Sequence, residues 1–261
     1  MKQQTYSILP DVWILRDILP LILPQSCLIC SRQVRGTLIC WRCLLPPPLS
    51  LSPTCPRCRI PLMGDTCPSC TLFPLPYDSI GYLWDYSGVA RDQILAMKYN
   101  PSPILARWLG KLLRTTLDNR SFNSEWDRIV VMPSSDRSGL LRGFNQCVII
   151  GRTLALEISR KCSTSRKIPV SNLLRRKRKR APHSTLGHED RMKGLKGLFY
   201  ADKRVRGERI LLIDDVITTG ASVGAASYAL KCAGAISVDV ISLARGSIWQ
   251  RCRGRIFQKL S

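Results

Sequence analysis

Eight of the twelve cysteines stand in four C-x-x-C pairs before residue 71: Cys27/Cys30, Cys40/Cys43, Cys55/Cys58 and Cys67/Cys70. The short gap lets both sulfurs of a tight turn reach one ion, and two such turns complete a tetrahedral thiolate set. Nine, eleven and eight residues lie between successive pairs, the size of compact knuckles. Four pairs supply two ions, and zinc suits the donors; an iron–sulfur cluster or redox-active thiols are the competing uses. The spacing leaves the pairing open, either sequential or interleaved. Sites filled wholly by thiolates keep no position for water, which marks structural centres. The two histidines, His183 and His188, come more than a hundred residues later.

A second chemistry is written in ILLIDDVITTGAS, 210–222. A wholly apolar strand ends in Asp214 and Asp215, then a short loop of hydroxyls and glycine leads into an Ala-rich helix. In an open parallel sheet, ligands sit at the carboxyl ends of the strands. A helix amino terminus offers unpaired N–H groups and the positive end of a dipole. The acids can accept hydrogen bonds from vicinal hydroxyls, and the loop can cradle a phosphate. A ribose 5-phosphate presents both. The plainer reading is a surface turn that carries two acids.

The elements that position these residues follow from periodicity. Strands are expected at 79–84, 127–133, 209–213 and 236–243. Helices are expected at 89–99, 103–117, 144–159 and 222–232. In the third helix Val148, Ile149, Leu154, Leu156 and Ile158 form the expected apolar face. Apolar strands alternating with helices predict an α/β fold with a mostly parallel sheet covered on both faces. Residues 171–196 are strongly basic and weakly periodic, and read as a mobile loop or hairpin over the sheet.

The chain has 261 residues and is 45% hydrophobic, enough for an ordinary domain core and a small accessory one. Its net charge of +22 favours phosphate-bearing partners, with a merely basic surface as the plainer account. Residues 8–23 are apolar but broken by Pro10, Arg16, Asp17 and Pro20. They read as an amphipathic helix packed on the body, with no integral membrane contact. No export signal is read, so a cytoplasmic location is expected and a disulfide scaffold is not. The expected plan is an N-terminal helical segment, 1–24; a double zinc module, 25–76; a main domain, 77–246, with the basic loop 171–196; and a basic tail, 247–261. The zinc module would present Arg32, Arg35, Arg42, Arg57 and Arg59, or dock on the main domain.

The stretch 210–222 closely resembles the phosphoribosyl pyrophosphate (PRPP) signature of type I phosphoribosyltransferases. The resemblance assigns Asp214 and Asp215 to the ribose hydroxyls. It assigns Thr218, Thr219, Gly220, Ala221 and Ser222 to the 5-phosphate. It further implies a pyrophosphate loop after the VVMP strand, here Ser134, Ser135 and Arg137, with Arg142 and Lys98 as further phosphate partners and Mg²⁺ arriving with PRPP. RGFNQ (142–146), YSGVARDQILAMKY (86–99) and the cysteine pairs together resemble the ComF/GntX family over nearly the whole chain. That family joins an amino-terminal zinc module to a phosphoribosyltransferase-like domain and is associated with natural transformation and the use of external DNA. Asn145 and Gln146 read equally as ligand contacts or as the cap of the following helix. In the mobile loop, His183, Leu186, Arg191 and Gly194 stand where the family usually has glutamine, leucine, arginine and asparagine, which puts handling of the acceptor in question. His183 itself reads as a solvated loop histidine, with a catalytic role as the sharper alternative.

Three functions compete at this stage. The first is a phosphoribosyltransferase whose acceptor is a nitrogen nucleophile, with no residue evident as general base. The second is a non-catalytic competence factor that binds single-stranded DNA through the zinc module and 175–180, with PRPP sensed or its pocket a relic. The third is a scaffold that docks a DNA-processing protein. Aromatics near the basic segments are few (Trp41, Phe199, Tyr200), so base stacking is weakly advertised.

Overall fold

A computed structural model describes residues 25–34, 39–44, 55, 57–59, 67, 70, 76–99, 102–118, 125–134, 145–161, 167–177, 197–218 and 220–246. The expected helical segment 1–24, the tail 247–261 and positions 178–196 of the basic loop lie outside them. The chain divides into two compact units, Met1–Pro46 and Pro47–Ser261.

In the first unit a two-residue antiparallel ladder joins β1 (Gln25–Ser26) to β2 (Gln33–Val34), and a single helical turn, α1 (Trp41–Leu44), follows. Its buried core is Cys27, Cys40 and Cys43, with Ile29, Val34 and Ile39 packed against them.

The second unit is built on five parallel strands in the order β3-β9-β8-β4-β5. They are β3 (Ser79–Asp85), β4 (Arg128–Val131), β5 (Val170–Ser171), β8 (Arg209–Ile217) and β9 (Ser237–Arg245). A separate antiparallel ribbon pairs β6 (Leu174–Arg176) with β7 (Phe199–Ala201) and brackets the basic loop. The helices are α2 (Gly88–Tyr99), α3 (Pro103–Leu113, continued by a 3-10 turn, Arg114–Asp118), α4 (Gln146–Lys161) and α5 (Ala221–Cys232). Ser102 starts α3: its Oγ accepts the Leu105 N–H at 3.2 Å, and Pro103 sets the first turn.

Central strands covered on both faces must be apolar throughout, and Ile210, Leu211, Leu212 and Ile213 are all fully buried. Even-numbered residues of β8, Ile210 and Leu212, share a cluster with Val223, Ala226 and Leu230 of α5. The opposite face takes α4: a Cβ at Gly151 would stand 3.4 Å from both Ile129 and Ile213. So α4 and α5 cover opposite faces. The chain leaves β4 through α4 toward β5, and leaves β8 through α5 toward β9 in the other direction. The crevice between the carboxyl ends of β4 and β8 is therefore the topological switch point.

Two sequence expectations change. The strand expected at 209–213 runs on to Ile217, so both acids lie within it. Pairing with β4 stops at Val131↔Ile213, while pairing with β9 continues to Ile217↔Arg245. The acids are thus beyond the end of β4 but still held by β9. In α4, Leu156 is 58% exposed, whereas Ile150, Leu154 and Ile158 are buried with Cys147. The helix packs closely on the sheet at Gly151, so its buried stripe runs through 147, 150, 154 and 158 and leaves Leu156 outside it. The stretch 171–196, read as a mobile loop or hairpin, begins in extended structure, with Ser171 in β5 and 174–176 in β6, which pairs with β7 as the hairpin alternative expects.

Candidate phosphate site and cysteine centres

Successive strand residues point to opposite faces, so Asp214 faces the α5 side and Asp215 the α4 side. The partners agree. Asp215 Oδ2 accepts from Gln146 Nε2 of α4 at 2.9 Å and pairs with Lys98 Nζ of α2 at 3.1 Å. Asp214 Oδ1 accepts the Asp215 main-chain N–H at 2.9 Å. Burial pushes the Asp214 carboxyl up, and the neighbouring Asp215 charge adds to it, to about 7. Lys98 opposes the rise.

Beyond the acids the chain turns at Thr218, which is exposed, and enters α5 through Gly220. Gly220 has φ 77° in the left-handed region and caps the helix without a side-chain hydrogen bond. A Cβ there would meet open space, so glycine is required by the backbone conformation alone. Ala221 and Ser222 lie in the first turn and Ser222 is exposed. Across the crevice, Ser134 follows the end of β4 and is half-buried. Of the residues expected to bind phosphate, Ser135, Arg137, Arg142 and Thr219 lie outside the described residues, as do His183, Leu186, Arg191 and Gly194.

The choice between cap and ligand contact divides between two neighbours. Asn145 caps α4: its Oδ1 accepts the Cys147 N–H at 2.9 Å, and its Nδ2 donates to Met132 O at 3.1 Å. Gln146 points into the site and holds Asp215. Lys98 likewise meets an acid. No local signal announces either contact, since 69 residues separate Gln146 from Asp215.

The cysteines resolve into sequential groups, Cys27/Cys30/Cys40/Cys43 and Cys55/Cys58/Cys67/Cys70. Within each group the four sulfurs lie within 4.8 Å of one another. Tetrahedral coordination with bonds of about 2.3 Å needs sulfur edges of about 3.8 Å. The Cys30–Cys40, Cys55–Cys70 and Cys58–Cys67 separations are 3.7, 3.7 and 3.4 Å. Burial raises the Cys27 and Cys55 thiols, but main-chain amides outweigh it. The N–H groups of Cys30, Cys40 and Ile29 bring Cys27 down to about 6. Those of Cys58 and Arg57 bring Cys55 down to about 7, while burial pushes the partner thiols Cys43 and Cys70 up. Both groups can hold a metal ion.

The second group is docked on the sheet of its own unit. Arg57 Nη2 donates to Tyr77 O at 3.5 Å, Tyr82 Oη donates to Arg59 O at 3.4 Å, and Arg245 Nη1 donates to Cys58 O at 2.5 Å. Sequence reasoning assigned no role to Arg245. A lone arginine at a strand end carries no pattern, and only the tertiary fold places it against Cys58.

Fold and site together define a parallel α/β protein with an acid pair and a glycine-led helix amino terminus at its switch point, and with two four-cysteine groups. Among curated proteins the chain is similar to the DNA utilization protein YhgH of Salmonella typhimurium, 28% identical over 238 residues, which cover 89% of this chain and 96% of the relative. The protein of the same name from Escherichia coli K12 matches at the same identity and coverage. No protein-family model matches the chain. Among solved structures, glutamine PRPP amidotransferase from B. subtilis aligns over 52% of this chain at 22% identity with a TM-score of 0.32. The chain spans only 25% of that protein. Orotate phosphoribosyltransferase of Mycobacterium tuberculosis aligns over 54% of this chain and 74% of its own, at 13% identity and a TM-score of 0.28. Among the described residues no helix is long and apolar enough to cross a membrane.

Proposed function

We propose that this chain is a ComF-type, phosphoribosyltransferase-like protein that binds Mg²⁺–PRPP in the cytoplasm and serves the use of external DNA, with a structural zinc ion in each cysteine group. One observation carries the reading: an acid pair in the switch-point crevice is followed at once by a left-handed glycine and the amino terminus of α5. Ribose hydroxyls would donate to Asp214 and Asp215. The 5-phosphate would sit on Thr218, Thr219, Gly220, Ala221 and Ser222. Pyrophosphate would meet Ser134, Ser135, Arg137 and Arg142 across the crevice. Lys98 and Gln146 keep Asp215 oriented, and Lys98 also offers the pyrophosphate a nearby positive charge. Mg²⁺, when bound with PRPP, neutralises the leaving group. The reaction such a pocket supports is displacement of pyrophosphate from the anomeric carbon by a nitrogen nucleophile. The name of the matched relatives supports the biological role.

Calorimetric titration of Mg²⁺–PRPP into zinc-loaded protein tests the reading. Saturable binding is expected, and the Asp214→Asn/Asp215→Asn variant should lose it. A folded, zinc-replete wild type that binds no PRPP sinks the proposal.

One feature favours a second reading, a single-stranded DNA contact. On the β6–β7 ribbon Arg175, Arg176 and Lys177 are exposed, and Tyr200, 46% exposed, stands opposite Arg175. Cationic side chains beside an aromatic face suit phosphate and base stacking. Charge-neutral substitution of the three cations should then flatten the salt dependence of single-stranded DNA binding. An unchanged slope removes this reading.

A further inference from the structure

We propose that Arg245 is a positioning residue that couples the second cysteine group to the phosphate-binding loop, so that metal in that group and PRPP at the loop strengthen each other's binding. The inference rests on the PRPP reading above.

Arg245 ends β9 and is only 4% exposed. A guanidinium so buried is held by its acceptors and by aromatic faces. Its Nη1 donates to Cys58 O at 2.5 Å, and its carbon centre lies 5.4 Å from the Tyr82 ring centroid. The direction of that carbonyl is set by the cysteine turn itself, which Arg59 N closes onto Cys55 O at 2.8 Å. Tyr82 Oη reaches Arg59 O, so β3 and β9 both grip the turn that carries two of the four thiolates.

The main chain at the same position grips the other site. Arg245 pairs with Ile217, the last residue of β8, and Gly246 N donates to Ile217 O at 2.8 Å. A Cβ at Gly246 would come within 3.2 Å of Thr218 Cα and 3.3 Å of its Cγ2. Residues 245 and 246 therefore press directly on the entry to the loop that leads to Gly220. A metal ion fixes the Cys55–Cys58 turn, the turn fixes the Arg245 side chain, and the Arg245 main chain fixes the register of 217–218. Loss of the ion frees the Cys58 carbonyl and with it the end of β9. Coupling between binding sites is reciprocal, so a phosphate held by the loop must also retain the metal. The first cysteine group belongs to the other compact unit and serves as the internal control.

The test uses full-length, zinc-loaded protein and a colorimetric chelator, in two backgrounds. Cys40→Ser/Cys43→Ser retains only the second centre; Cys55→Ser/Cys58→Ser retains only the first. At equilibrium with the chelator, saturating Mg²⁺–PRPP should tighten zinc binding at the second centre by roughly fivefold or more, the low end of ordinary site coupling, and so reduce the zinc released from it, while the first is unchanged. Arg245→Lys should abolish the protection and weaken PRPP binding by a similar factor. Gly246→Ala should weaken PRPP binding while zinc release without PRPP stays as in wild type, because it pushes on Thr218 and leaves the cysteine turn alone. PRPP binding that leaves second-centre release unchanged overturns the coupling, and so does full protection in folded Arg245→Lys. Failure of the zinc-replete wild type to bind PRPP is a different result: it overturns the functional reading itself and the coupling with it.

Discussion

Asp214 and Asp215 are neighbours in sequence but not in environment. Asp215 has a cation and an amide donor; Asp214 has one main-chain N–H and is half-buried at the sheet edge of the crevice. Asp214 therefore resists ionisation in the folded chain, with its pKa raised from 3.8 to about 7. Two outcomes follow. A hydroxyl donor needs the carboxylate, so affinity for Mg²⁺–PRPP should rise as pH goes from 6 to 8; calorimetry at pH 6, 7 and 8 that gives a flat profile contradicts this. The stability sign runs the other way. An acid whose folded pKa lies above its unfolded value costs nothing below about pH 4, and opposes folding increasingly as pH rises toward 7. Asp214→Asn should therefore raise the melting temperature by a few degrees at pH 8 and leave it unchanged at pH 4, while abolishing binding, the trade expected of a functional acid. Equal melting shifts at both pH values would show that the gain comes from elsewhere.

At the scale of elements, the site depends on where α4 begins. Asn145 caps that helix and ties it to Met132 at the end of β4, which aims Gln146 at Asp215. Asn145→Ala should cost about 1–2 kcal/mol, a cap plus the half-buried side-chain bond to Met132 O, read as a lower midpoint in urea at unchanged slope. It should also weaken PRPP binding, since Gln146 loses its fixed origin. Much of this architecture was legible in the sequence. The apolar run 210–213 specified a buried central strand, the glycine after the threonines specified the turn into α5, and the C-x-x-C spacing specified knuckles. What stayed hidden is contact across the fold. Nothing local tells that β9 extends past β4 and carries β8 through its acids, that Leu156 points outward, or that Arg245 reaches Cys58. The pairing of the cysteines was equally hidden, because spacing constrains each turn and not which turns meet.

At the scale of the whole molecule, the two cysteine groups stand in unequal surroundings. The first unit buries little beyond Cys27, Cys40 and Cys43 among its described residues, with three aliphatic side chains beside them. A core that small among the described residues cannot by itself order them, and metal binding would supply the missing folding free energy. The second group is set against a unit with a five-stranded sheet and a large apolar core. Its loss should loosen the turn at Cys58 without melting the sheet. Limited proteolysis during stepwise chelation separates the two. Cleavage within Met1–Pro46 should come first and go to completion, while a fragment beginning near Pro47 and retaining β3 to β9 persists with its helical and strand circular dichroism intact. Simultaneous loss of both units would mean that the sheet also depends on the ions, and that the second centre is a folding nucleus where a local support was expected.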